Sequence, residues 1–424
     1  MRILFIVPYV PSLIRFRSYN LIRQLTAHGH QVTVLTLYTG AAELADVADL
    51  GPYCQRVVAL PLPKLRSLWN CLIALPSGKP LQAMYCWQPA LARKIKQLIQ
   101  PANGTLAFDV VHIEHLRGSE YGLFLKKHLS SIDHGLPIVW DSVDCISHLF
   151  RQAVNFRASR LGMLATRLDL TRTERYEGRV ANQFEHVVIS SDIDKLALLD
   201  LVPNHLTEPQ VSVVPNGVDL AYFCPGPTSS RKPDTLIFSG KMSYHANISM
   251  ALYLAEEIMP RIRQRRPSVR LNIVGKSPPR QITALSQHPN ISVAGTVPDI
   301  RPYLREATAA VVPLLYGAGT QGKILEAMAC ATPVITTPLA VAPLSACPGR
   351  DLLVADRADD IAQAVLKLLA DKKMQRDVAE CGRSYVETNH NWTTITEELV
   401  DIYKSSLQLK GSCAGKPALQ ESVS

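Results

Sequence analysis

The sequence predicts an α/β protein built from two doubly wound domains, each a parallel sheet covered by helices. Three observations carry this. Short apolar runs alternate with helical stretches along nearly the whole chain. A turn-rich break near 203–215 interrupts the alternation once, after which it starts again. The 424 residues suffice for at least two separate cores.

In chain order, residues 2–7 read as a buried strand, 15–28 as a helix closed by Gly29, and 31–37 as a second strand. Strand, helix, strand at this spacing is a βαβ unit, which implies parallel pairing. Further strands are expected near 109–113, 137–141, 186–189 and 211–214. The loop after the first strand, PYVPSLIRFRS, lies where open α/β sheets bind ligands, yet lacks the glycines of a dinucleotide loop. Its Arg15 and Arg17 are either solvated at a helix start or turned toward an acceptor.

The run 65–75 (LRSLWNCLIAL) is apolar with few charges. Its default reading is a covered core helix; the alternative is a patch that touches lipid or acceptor. Residues 151–179 carry seven arginines against Asp169, Glu174 and Glu177. That pattern is a solvated helix face or a basic surface for anionic lipid. After the loop-like CPGPTSSRKP (224–233), a second series places strands at 235–239, 270–274, 291–294, 309–313, 334–336 and 352–354, with one helix reaching Arg266. A final helix is expected at about 393–407, and 411–424 is polar and small enough to be disordered.

Apolar content of 47% and a mean hydropathy of +0.06 describe a soluble globular protein. The net charge of +9 is spread over both halves, with 22 basic and 17 acidic residues in 1–210. An even spread argues against a nucleic-acid-binding module; it suits nucleotide ligands and a weak contact with an anionic membrane. Nine cysteines without a CxxC pair or a Cys/His cluster point to reduced thiols, hence a cytoplasmic protein, and to no metal site. The opening run Ile3–Val7 meets Pro8 at once, so it reads as a strand rather than a signal peptide.

The stretch Tyr316–Thr337 (YGAGTQGKILEAMACATPVITT) holds the clearest chemistry. A glycine-bearing loop leads into a short helix stopped by Thr332-Pro333 before the apolar Val334-Ile335. At about 100° per residue, Ile324, Leu325, Met328 and Ala329 share one face, while Lys323, Glu326, Ala327 and Cys330 share the other. A cation and a carboxylate beside a helix start fit a nucleoside diphosphate: phosphate on the lysine and amides, ribose hydroxyls on the glutamate. The bland counterpart is an amphipathic helix with a solvated Lys–Glu pair. Asp192 and Asp194 form a D-x-D string that opens a helix, where capping outweighs metal binding. Asp141 and Asp144 end a strand at a ligand-binding edge, where they could touch an acceptor or assist catalysis, or equally serve a turn.

With VVPNGVD (213–219), LIFSGKMSYHAN (236–247), LNIVG (271–275), GTVPDIRPYL (295–304) and GAGTQGKILEAMACATPVITT (317–337) in order, the chain resembles GT-B retaining glycosyltransferases that use nucleotide-sugar donors. Within that group it resembles the sugar transferases of exopolysaccharide and protein-sorting systems. The resemblance implies two Rossmann-like domains facing across a cleft. The acceptor-side domain would span 1–210 and be completed by a C-terminal helix at about 391–410. The donor-binding domain would span 211–390.

The resemblance also implies roles. Glu326 matches the motif glutamate that takes the donor ribose. Lys241 sits where the family places a cation on the diphosphate, beside Gly240, and Lys323 is a second cation. Gly319, Thr320 and Gln321 would cradle phosphate, Val297 would meet the base, and Asn216 and Gly217 belong to a donor-side motif. Arg15, Arg17 and Asp144 fall on the acceptor side. The place of the family's N-domain histidine falls at Glu114, with His115 one position further on; the two are candidates for that role or a structural pair at a strand end. Ala318 stands where the family often has its first glutamate, which leaves the sugar open. The implied reaction is metal-independent transfer, with retention, to a glycan or lipid-linked acceptor. A nucleotide-sugar isomerase and a non-catalytic nucleotide-sugar-binding protein are the rival readings.

Overall fold

A computed structural model describes residues 1–100, 106–129, 135–154, 160–227, 231–317 and 319–414. Ala318, the end of the expected tail (415–424) and residues 155–159 of the arginine-rich stretch lie outside the described residues. The chain divides into two compact units, one holding Met1–Val214 and the chain from Thr393 on, the other Pro215–Trp392.

The first unit is built on strands β1 (Arg2–Val7), β2 (Gln31–Tyr38), β3 (Arg56–Pro61), β4 (Val110–Glu114), β5 (Ile138–Val143), β6 (His186–Ile189) and β7 (Val211–Val213). They form one parallel sheet in the order β3-β2-β1-β4-β5-β6-β7. Ile3 pairs with Val32 on one side and Val110 on the other. Residues Ile3–Val7 are fully buried, as a central parallel strand with both faces covered must be. The edge strand β3 is the strand of this sheet that the sequence pattern does not mark. Its residues are half-buried at best, so it shows neither a buried run nor a clean alternation.

The C-terminal helix Trp392–Ala414 closes this unit. Ile395, Leu399 and Tyr403 are buried, and Tyr403 Oη lies 2.8 Å from His112 Nδ1 on β4. A hydrogen bond between residues 291 positions apart ties the end of the chain to the centre of the first sheet.

Residues 65–75 are not a covered run. They belong to the helix Lys64–Ser77, which buries Ser67, Asn70 and Ala74 and exposes Leu65, Leu68, Trp69 and Leu72. The physical reason is Asn70, whose amide donates to the carbonyls of Trp87 (2.7 Å) and Tyr85 (3.3 Å). Satisfying two carbonyls fixes which side turns inward, and the leucines take the other.

The second unit carries β8 (Thr235–Ser239), β9 (Arg270–Val274), β10 (Ile291–Gly295), β11 (Ala309–Val312), β12 (Val334–Thr336) and β13 (Leu353–Val354). They are parallel in the order β10-β9-β8-β11-β12-β13. The expected single helix up to Arg266 is instead His245–Leu252, a wider π-helical turn at Tyr253–Ile258, and Met259–Arg265. Pro260 lacks the amide that would continue an ordinary ladder, and the backbone widens just before it.

Candidate functional site

Strand order creates the site in the second unit. From β8 the chain adds β9 and β10 on one side, then crosses to the other side of β8 for β11. The loops leaving β8 and β11 diverge at the carboxyl edge, the position where open α/β sheets take ligands.

Strand β8 leads directly into Gly240, whose φ is +152°. A Cβ built there would lie 2.8 Å from Asn247 Nδ2 and 3.2 Å from Lys323 Cε. Bare backbone at this point lets the stem of Lys323, from the helix that follows β11, lie against the end of β8. On its other side, the Gly240 carbonyl presses on Gly275 at the end of β9, where a Cβ would fall 1.7 Å from that oxygen. Asn247 Nδ2 also donates to the Lys241 carbonyl at 2.9 Å, which fixes the loop that carries the exposed Lys241 side chain.

The β11 loop runs through Gly317 and Gly319, both at positive φ, into the helix Gly322–Ala329. The N-cap residue Gln321 makes no side-chain capping bond, and the dipole end of the helix favours an anion. Thr320 Oγ1 is buried with no hydrogen-bond partner among the described residues. Lys323 Nζ donates to Gln321 Oε1 at 3.0 Å. Burial pulls the Lys323 ammonium down to about 8, against the opposing pull of Glu326. Burial likewise raises the Glu326 carboxyl, with Lys323 opposing. Each charge is therefore partly desolvated, and a ligand of the complementary kind would relieve that cost.

Tyr316 locks the two loops together. Its hydroxyl is 2.9 Å from His245 Nδ1 and 3.2 Å from Ser249 Oγ, and its ring stacks on His245 at 5.4 Å and 7°.

A second polar cluster occupies the carboxyl edge of the first sheet, where β1 and β4 diverge in the same way. Tyr9 Oη donates to Glu114 Oε1 at 2.5 Å. Arg17 grips Asp141 with two bonds, 2.8 and 3.2 Å long. His112 Nε2 stands 3.6 Å from the same carboxylate. Burial, then repulsion from Asp141, pushes Glu114 up to about 7. Asp144, bonded by Ser190 Oγ at 3.0 Å, is raised to about 6 by burial and by Asp194. Burial and the nearby Arg117 hold His115 down to about 3. His115 and Val143, at the ends of adjacent strands, both have φ of +67°. That conformation is costly for a β-branched valine and marks a tightly determined edge.

The model for glycosyl transferases group 1 matches residues 233–371, and that for glycosyltransferase family 4 matches residues 17–222. The chain carries the two domains of a GT-B glycosyltransferase. Sucrose-phosphate synthase from Thermosynechococcus elongatus superposes with a TM-score of 0.72 at 19% identity, over 97% of this chain and 100% of that one. Anabaena HepE in complex with UDP and glucose gives 0.65 at 14% identity, over 96% and 100%. The D-inositol 3-phosphate glycosyltransferase of Nocardiopsis dassonvillei is 24% identical over 262 residues, covering 54% of this chain and 58% of that protein. The chain spans less than two thirds of the curated relatives it matches.

Within this GT-B frame, Lys323 bonds Gln321 and carries its stem close to where a Gly240 side chain would begin, with Glu326 one turn along the same helix. Val297 packs on the core at the end of β10. Asn216 and Gly217 sit elsewhere in their contacts. The Asn216 carbonyl is 2.7 Å from His390 Nδ1, and a Cβ at Gly217 would strike Trp392 at 2.7 Å. This is the joint where the chain enters and leaves the second unit.

Arg17 is not a solvated helix-start residue: it is 5% exposed and committed to Asp141. Arg15 pairs with Glu43 at 3.1 Å and lies over the Tyr9 ring. Asp194 accepts from Ser191 Oγ and returns its amide to that oxygen, a capping arrangement that accounts for the D-x-D string. No local sequence signal marks Tyr9, His245 or Tyr316 for a role. Only their positions after β1, β8 and β11 hinted at one.

Proposed function

We propose that the protein transfers a sugar, with retention, from a nucleoside diphosphate sugar to a hydroxyl of a glycan or lipid-linked acceptor. The observation that carries this reading is Lys323 and Glu326 on one helix at the divergence of β8 and β11, with the lysine stem lying on Gly240. The lysine and the helix start receive the diphosphate, and Glu326 accepts the ribose hydroxyls. HepE, a neighbour in fold, holds UDP and glucose, which supports the donor class.

Breaking the glycosidic bond places new negative charge on the departing diphosphate. Lys323, Lys241 and the helix dipole are arranged to meet that charge, so the stabilisation grows along the reaction. On this reading the cations serve in place of a metal, and turnover is expected to persist in a chelator. On this reading the acceptor belongs to the first unit, where Tyr9 holds Glu114 at the carboxyl edge of the sheet. The leaving phosphate takes the proton on the face it departs from. A setting in polysaccharide or glycoconjugate assembly, with loose attachment to a membrane, fits a lipid-linked acceptor. Among the described residues no helix is long and apolar enough to cross a membrane.

The test is incubation with a panel of nucleoside diphosphate sugars, with and without acceptor, and NMR assignment of the anomeric product. An α-configured donor giving an α-linked product supports the proposal. Donor epimerised without acceptor, or donor bound and never consumed, overturns it in favour of an isomerase or a binding protein.

A further inference from the structure

The helix Lys64–Ser77 turns its apolar side outward. Leu65 is 79% exposed, Leu68 61% and Trp69 57%, and Leu72, Ile73 and Leu75 are exposed beside them. At about 100° per residue these six span roughly 160° of the helix, opposite the buried Ser67, Asn70 and Ala74. Single exposed leucines are ordinary; six large apolar side chains on one stripe mark a surface made to be covered.

Charge indicates what covers it. Between Gly51 and Phe108 the chain has seven Lys or Arg and no Asp or Glu. On the helical wheel Lys64 and Arg66 border the stripe on its two sides. Arg172, from the helix Arg160–Val180, reaches the Leu75 carbonyl at 3.0 Å and adds a further cation at the far end. A stripe of leucines with a tryptophan in it and cations at its margins matches the boundary of an anionic bilayer, where indoles sit at headgroup level and cations meet phosphate.

We propose that the Lys64–Ser77 helix docks the protein on an anionic lipid bilayer, lying in the interface with Leu68, Trp69 and Leu72 inserted. The proposal deepens the reading of a lipid-linked acceptor, but the docking itself rests on this surface alone. It also differs from attachment through the arginine-rich 151–179 stretch, where Arg151 is paired with Glu174 at 2.8 Å.

The protein supplies its own probe. Trp140 and Trp392 are buried and Trp87 is half-buried, which leaves Trp69 as the exposed indole. Sedimentation with vesicles of equal parts phosphatidylcholine and phosphatidylglycerol should carry the protein into the pellet and shift tryptophan emission to the blue. Phosphatidylcholine vesicles should recover far less. Leu68→Ser, Trp69→Ser and Leu72→Ser combined should leave the protein in the supernatant with unchanged melting and unchanged donor hydrolysis. Lys64→Glu with Arg66→Glu should weaken binding about tenfold or more, the scale of two membrane-facing cations. Wild-type protein that stays in the supernatant with both vesicles overturns the proposal. So does a triple variant that pellets like wild type. A wild-type dimer without vesicles that the triple variant abolishes would assign the stripe to a second copy instead. Vesicle binding without any transfer activity would sink the proposed function and leave the docking intact; transfer without vesicle binding would do the reverse.

Discussion

Lys323 Cε lies 3.2 Å from the point where a side chain at Gly240 would begin, so the end of β8 and the start of the Gly322–Ala329 helix share one small volume. A strand end and a helix start, 83 positions apart in sequence, thereby place the Lys323 cation at the edge of the sheet. Gly240→Ala should disturb that arrangement twice, through contact with Asn247 and Lys323 and through a backbone at φ +152°. Nucleoside diphosphate affinity, measured by calorimetry, is expected to fall by about 1–3 kcal/mol, the usual cost of such strain. Wild-type affinity would show that the lysine needs no room there.

Glu326→Ala tests the ribose contact. Loss of charge-assisted hydrogen bonds should weaken nucleotide binding by about 1–3 kcal/mol, while the buried face of Ile324, Leu325 and Met328 keeps the helix in place. Unchanged affinity for UDP and for GDP alike would remove Glu326 from the site.

Lys323→Met and Lys241→Met keep a long stem and remove the charge. Single-turnover rates at saturating donor should fall about 10²–10³-fold for each, by analogy with removing one oxyanion donor, with a smaller loss in donor affinity. A lysine whose replacement leaves turnover intact is a solvated one. Lys323 adds a pH signature. Its ammonium titrates near 8 in the free protein. A bound diphosphate favours the charged form and raises that value, so binding above pH 8 requires proton uptake. Affinity should therefore drop by up to about tenfold per pH unit above 8, and Lys323→Met should flatten the curve.

Glu114 has a folded value near 7 against an ordinary carboxyl value of 4.5. Its folded form holds a proton more tightly than its unfolded form. This contribution is thus favourable at low pH, is lost as pH rises from 4.5 to 7, and its cost is complete above 7. Glu177, raised to about 7 by burial, acts in the same direction. Melting temperature should decline across this window, and Glu114→Gln should remove part of the decline. A variant with the wild-type pH profile would mean that Tyr9 already holds the carboxylate charged.

Asn70→Ala removes the only buried amide that turns the Lys64–Ser77 helix inward among its described contacts. Leaving two carbonyls without a donor should cost about 1–3 kcal/mol in urea unfolding. A neutral effect would place the orientation of that helix on other contacts.

Much of the fold was legible because central parallel strands are buried on both faces. Ile3–Val7, Thr235–Ser239 and Ala309–Val312 each show an unbroken run of small or apolar residues. The helix around Lys323 and Glu326 was legible for a related reason: its apolar face, its glycine loop and its Thr332-Pro333 stop are all local signals. By itself, then, the sequence determined the two βα series and the polar face of one helix.

Tertiary structure decided what depends on partners remote in sequence. Edge strand β3 is defined by pairing with β2 rather than by its own pattern. Arg17 is buried because Asp141, 124 residues away, offers two oxygens to its guanidinium. The Glu114 carboxyl titrates near neutrality because burial and Asp141 surround it, and neither is visible from VHIEHLRG. The run 65–75 faces outward because the carbonyls of Tyr85 and Trp87 claim Asn70. Apolar periodicity tells how a helix is striped; which stripe turns inward is settled by the polar groups that the neighbouring chain leaves to be satisfied.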